Sequence, residues 1–213
     1  MVKRPYRSAI RRAQAESTRS KILDAALKLF ADEGYAMTTI AAIAREAGLA
    51  PETIYAAFRS KRGIIDGLIA AAAPADIVAN IQGAWAAKAG DPAAQLAFLA
   101  RFATEFWSRN DALAAIFRQG TGDAEIGDEW AKRQVARRDL FGAALVDWPG
   151  GVLRPGVTPD RAADLVWALA SDELFHLLVR QRGWSIPRFR TWLTQALQHE
   201  LLADPPASLP SGR

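Results

Sequence analysis

The sequence predicts an all-α protein: a small helical domain at the N-terminus and a larger helical domain after it. Three observations carry that expectation. Apolar residues recur at helical spacing through most of the 213 residues, and no stretch keeps the two-residue period of a strand. Charge is uneven, with 12 Lys/Arg against 6 Asp/Glu in residues 1–62 but 15 against 17 in residues 63–213. Two short helical patterns flank a glycine turn between Thr38 and Lys61. Half of the residues are hydrophobic, enough for a sizeable core.

The elements follow in order. Residues 1–16 carry Lys3, Arg4, Arg7, Arg11 and Arg12 without apolar periodicity and read as a basic, flexible or partly helical arm. Such an arm can follow phosphates or enter a minor groove, or simply remain a solvated tail. A first helix carries Ile22, Ala26, Leu29 and Phe30 and ends at Gly34. In the second, Ile40, Ile43, Ala44 and Ala47 share one face, Thr38 or Thr39 can cap the start, and Gly48 suits the left-handed stop. Pro51 fits the first turn of a third helix, where Ile54, Tyr55 and Phe58 put bulk on one side. Helix, glycine turn and short helix make a helix-turn-helix unit, whose second helix enters the DNA major groove.

Helical patterns continue over residues 63–73, 75–89, 92–109, 111–119 and 123–148. Residues 149–159 hold three prolines and read as a loop. Thr158 can cap a helix over 159–181, Gly183 ends it, and a last helix runs over 186–202. The tail 204–213, with three prolines, is expected to fray.

The ordered set Ile22, Ala26, Leu29, Phe30, Gly34, Thr38-Thr39, Ile43-Ala44, Ala47-Gly48-Leu49, Tyr55, Phe58 and Lys61 resembles the DNA-binding domain of the TetR (tetracycline-repressor-like) family of bacterial transcription regulators. The resemblance covers about a quarter of the chain by motif; the rest fits by length and helical pattern. It implies a DNA-binding domain over 17–62, a helical regulatory and dimerisation domain over 63–203, and flexible ends at 1–16 and 204–213. It implies that Tyr55 and Lys61 contact the DNA backbone, with a further bond from Thr38 or Thr39. Pro51, Glu52, Thr53 and Ala57 lie at the start and outer side of the recognition helix, where methyl groups suit thymine and Glu52 can accept from cytosine. Arg45 and Arg59 add affinity. The chain departs from the family at Ala50, where a capping serine is usual, and at Glu52, whose carboxylate suits the helix dipole but opposes phosphates.

The resemblance further implies a homodimer on a palindromic or pseudo-palindromic operator in double-stranded DNA, released by a small-molecule effector. Apolar faces on the last two helices, including Leu165, Leu169, Leu177, Trp192, Leu193, Leu197 and Leu201, are the expected dimer interface; an intrachain core is the alternative reading of the pattern. Phe98, Phe102, Phe106, Trp107, Phe117, Trp130 and Trp167 are the candidate pocket, so the effector is expected to be largely apolar, although an aromatic stripe at helical spacing is more often core. An activator of the same fold, or a helical interaction module without ligand control, are the alternatives.

Other classes find less support. The chain has no cysteine, hence no disulfide framework, thiol nucleophile or cysteine metal site. No serine-centred nucleophile motif or phosphate-binding glycine loop is present, so no catalytic residue and no cofactor is expected. Asp172 and His176, four apart, could share a metal with Glu105 or Asp139, but such spacing is common by chance and no metal is expected. The start lacks the apolar core of a signal peptide, no uncharged apolar run approaches a membrane span, and a cytoplasmic protein with no membrane partner is expected.

Overall fold

The computed structural model describes residues 4–120 and 123–203, with side chains from residue 9 onward. The helices are α1 (Arg4–Glu33), α2 (Ile40–Ala47), α3 (Pro51–Phe58), α4 (Lys61–Ala72), α5 (Ala75–Ala86), α6 (Pro92–Arg109), α7 (Asp111–Gln119), α8 (Ala124–Leu145), α9 (Pro159–Leu169), α10 (Asp172–Phe175) and α11 (Ile186–Leu201). Among the described residues the only β pairing is an isolated antiparallel bridge between Leu153 and Leu202. The expected tail, 204–213, lies outside the described residues.

The chain forms two compact units. One comprises residues 1–75 with 110–129; the other comprises residues 76–109 with 130–213. The sequence reading drew its boundary at residue 62. Packing instead groups α4, α7 and the start of α8 with the N-terminal helices.

In the N-terminal unit, α1 packs on α2, α4 and α7, and α3 packs on α2 and α4. Ile22, Phe30, Ile43, Ile54, Ile64, Ile65 and Ile116 are all essentially inaccessible to water. Full burial of such side chains is worth about 1.5–3 kcal/mol each. The α1 helix starts at Arg4, so the basic arm is helical as far as it is described, the partly helical form among the two expected.

In the C-terminal unit, α11 lies against α6 and α9. Leu96, Ala100, Ala162, Val166, Phe175, Phe189, Leu193, Leu197 and Leu201 form the core. Thr158 caps α9 and Ser185 caps α11, each hydroxyl accepting from the backbone N–H three residues on. The single helix expected over 159–181 is broken. Ser171 recaps the chain by accepting from Leu174 N, and residues His176–Gln181 then take a π-helical turn. Ala170 O, released at the break, accepts from Trp107 Nε1 at 2.9 Å and Arg137 Nη1 at 3.1 Å, and Arg137 Nη2 donates to Trp167 O at 3.1 Å. A serine that can cap and outside donors for the freed carbonyls together stabilise the break.

By composition, Lys61–Ala86 is long and apolar enough to cross a membrane. Pro74 splits it into α4 and α5, and Asp66 and Asp76 interrupt its apolar surface.

Candidate nucleic-acid interface

The site is built on α3. Ile54 and Phe58 are 1% and 5% exposed and fix one side of α3 in the core. Its opposite side then faces water. Pro51, Glu52, Tyr55, Ala56 and Arg59 are all exposed, Tyr55 by 53%. Thr53 and Ala57 are half-buried. Ala57 therefore sits at the flank of this face, and Ala56, which was not among the expected DNA contacts, lies on it. Ala50 forms no side-chain cap at the start of α3, leaving Glu52 as the acidic group of its first turn.

The C-terminal end of α3 is held from two sides. Arg19 of α1 donates from Nη1 to Ala57 O at 3.0 Å and lies 4.0 Å over the Phe58 ring. The N-terminus of α4 presses against the same turn: a Cβ at Gly63 would meet Phe58 O at 2.0 Å. Arg59, between them, has φ of +66°, a conformation uncommon outside glycine. The close approach fixes where α3 stops. Arg19 left no sequence signal of this role, because its partner is a backbone oxygen 38 residues away.

Several expected DNA contacts have internal roles. Thr38 is 1% exposed and its hydroxyl donates to Gly34 O at 2.8 Å; it does not face outward. Thr39 is the exposed member of the pair and caps α2 by accepting from Ala42 N at 3.1 Å. Lys61 does not point freely at a phosphate. Its Nζ donates to Tyr35 O at 2.8 Å and Thr38 O at 3.2 Å and stands 4.2 Å over the Tyr35 ring. An ammonium with three donors is well matched to that cluster, so Lys61 secures the turn that presents α2. Arg45 is exposed on α2.

The same turn is tied to α8. Tyr35 donates to Glu125 at 2.9 Å; burial first, then this bond and the nearby carboxylate, push the phenol pKa up. Arg62 donates to Glu129, which is 7% exposed. These partners are 90 and 67 residues apart, so the sequence could not pair them.

The expected pocket residues do not all meet. Phe117 is 2% exposed and belongs to the N-terminal unit, which corrects its assignment to a pocket with the others. Phe98 is buried on α6 between Lys88 and Arg101. Phe102, Phe106 and Trp107 form a ring cluster with centroids 5.8 and 4.9 Å apart. Trp107 and Trp167 flank Arg137, whose pKa burial lowers. Trp130 is half-buried. An open groove lies elsewhere, lined by Trp184, Pro187, Arg188, Thr191, Trp192 and Gln195.

The dimer residues also divide. Leu193, Leu197 and Leu201 are 0% exposed within one chain, so they are core and not a surface for a second copy. Leu177 is 48% exposed, while Leu165, Leu169 and Trp192 are half-buried. Among the described residues no three metal-type ligands come together around Asp172 and His176.

Residues 22–68 match the family model for bacterial regulatory proteins, tetR family. The HTH-type transcriptional regulator SrpR of Pseudomonas putida is 38% identical over 58 residues, 27% of either chain. An uncharacterized HTH-type transcriptional regulator of Bacillus subtilis, YvkB, is 38% identical over 52 residues, 24% of this chain and 28% of its own. The match thus spans about a quarter of these curated relatives. The fold likeness is longer. NalD, the secondary repressor of the MexAB-OprM multidrug efflux pump in Pseudomonas aeruginosa, superposes with a TM-score of 0.71 at 21% identity over 90% of this chain and 99% of that one. SmeT in its triclosan complex gives 0.68 at 20% identity over 92% and 99%.

Proposed function

We propose that this chain, whose N-terminal domain belongs to the tetR family of bacterial regulatory proteins, is a sequence-specific DNA-binding repressor, acts as a cytoplasmic homodimer, and leaves its operator when a small molecule binds the C-terminal unit. The observation that carries this reading is the outward face of α3. Buried Ile54 and Phe58 lock the helix from behind, and Pro51, Glu52, Tyr55 and Ala56 are presented together. That is the geometry by which a recognition helix meets base edges. The likeness to NalD, a repressor, and to SmeT, solved with triclosan, supports repression and ligand control by analogy.

The second copy meets the surface that α11 and the preceding π-helical turn leave uncovered, with Leu177, Trp184 and Trp192 at its centre. The effector is largely apolar and binds among Phe102, Phe106, Trp107, Trp130 and Trp167. It must bind the DNA-incompetent state more tightly than the DNA-bound one, since a ligand shifts an equilibrium only by its differential affinity. The helix α8 begins in the N-terminal unit, with Glu125 and Glu129 on Tyr35 and Arg62, and ends in the other. It is the element through which this difference reaches the α1–α2 turn.

Selection of bound DNA from random sequence tests the reading. A pseudo-palindrome with half-sites about one helical turn, or a multiple of it, apart is expected. Binding without any enriched motif overturns it.

A further inference from the structure

The turns of α1 from residue 9 to residue 17 have no packing reason to exist. The core of the N-terminal unit begins at Ile22, yet α1 starts at Arg4. Every side chain from residue 9 to residue 17 is exposed. A helical segment gains little from propensity alone, and most helical stability in proteins comes from burying one face. This segment buries none.

Its charge is what distinguishes it. Residues 4–17 hold four arginines, at positions 4, 7, 11 and 12, against the single acid Glu16. Elsewhere in the same unit many cations are committed: Lys28 to Glu46, Lys61 to backbone carbonyls, Arg62 to Glu129, and Arg19 to the end of α3. Arg11, Arg12, Arg45 and Arg59 are exposed and make no ion pair among the described residues. Two of these flank the recognition helix itself, and the other two lie on the exposed turns of α1.

The direction of departure joins the two groups. At Arg19, α1 touches the C-terminal end of α3. Arg12 precedes Arg19 by seven residues, two helical turns, and so lies on nearly the same stripe of α1, roughly 10 Å further along its axis. The exposed basic turns therefore continue α1 outward from its contact with the C-terminal end of α3.

We propose that the N-terminal extension of α1 is a second DNA contact, a basic helical rail that engages phosphates flanking the half-site through Arg11 and Arg12. This rests on the DNA-binding reading above and adds to it a partner for a segment that the helix-turn-helix does not use. Phosphate neutralisation releases counterions, so the rail supplies affinity and salt dependence and leaves base choice to α3.

The test uses the full chain and the operator recovered by selection, with affinity followed across salt concentrations for wild type, Arg11→Ala/Arg12→Ala and Arg11→Lys/Arg12→Lys. Each lost phosphate contact lowers the slope of log affinity against log salt by about 0.9. The alanine pair is expected to reduce the slope by about 2 per protomer. It should weaken operator and random DNA by similar factors and leave the preferred sequence unchanged, with unaltered thermal stability; the lysine pair should keep most of the slope. An alanine pair with wild-type slope and affinity refutes the rail while leaving the DNA-binding reading intact. Wild type that fails to prefer its operator over random DNA removes that reading, and the rail with it.

Discussion

The two units solve the problem of buried polar groups differently. In the N-terminal unit, short helices meet at tight turns, and side chains bind the backbone groups those turns expose: Thr38 at Gly34 O, Lys61 at Tyr35 O and Thr38 O, Arg19 at Ala57 O. In the C-terminal unit, longer helices bury broad apolar faces, and where the helix after Thr158 breaks, Arg137 and Trp107 serve the carbonyls of Trp167 and Ala170. The first strategy fixes a geometry, as the proposed DNA-reading role of the exposed α3 face requires. The second makes a core whose exterior is free to vary. The family model matches residues 22–68, which lie within the first unit.

The largest expected effect separates core from interface in the second unit. Leu197→Glu places a carboxylate at a position 0% exposed and should cost several kcal/mol, lowering the melting temperature sharply. Leu177→Glu, at a position 48% exposed, should leave the protomer folded and shift sedimentation from dimer to monomer. Equal melting temperatures for the two variants would show that the exposed Leu177 of the π-helical turn and the buried Leu197 of α11 do not divide into surface and core in this way.

Next comes the link between the start of α8 and the rest of the N-terminal unit. Arg62→Ala deprives the nearly buried Glu129 of its cation. A loss of roughly 1–3 kcal/mol is expected, read by urea unfolding. Glu129→Gln in the Arg62→Ala background should recover part of it. No recovery would mean that the pair is incidental.

Lys61→Ala sharpens the contrast further. Its ammonium serves carbonyls of the α1–α2 turn, so the variant should lose about 1–2 kcal/mol of stability. The salt slope of DNA binding should stay near that of wild type. A slope lowered by about one, with stability unchanged, would restore the phosphate contact that the family resemblance implies.

The smallest effect is expected at Glu52, whose exposed side chain has no hydrogen bond or ion pair among the described residues. Glu52→Ala should leave stability within about 0.5 kcal/mol. It should relax the base preference at one position of the selected motif. An unchanged motif would remove Glu52 from the readers.

By itself, the sequence determined the helical class, the helix-turn-helix and most helix limits. Those depend on local physics: apolar spacing over three or four residues, Gly48 at the end of α2, Pro51 at the start of α3, and the hydroxyl of Thr158 at α9. It also showed the uneven charge, because charge is counted, not placed. Which member of a pair turns inward was not legible. Thr38 and Thr39 are equivalent as neighbours, and only the packed core tells the buried hydroxyl from the capping one. The apolar faces of α11 were visible, but not that packing on α6 and α9 would bury Leu193, Leu197 and Leu201 and leave Trp192 half-buried. Lys61 and Arg62 were readable as cations. Their partners, Tyr35 in the α1–α2 turn and Glu129 on α8, are distant in the chain, and a contact across such a distance forms only when the core has brought these segments together.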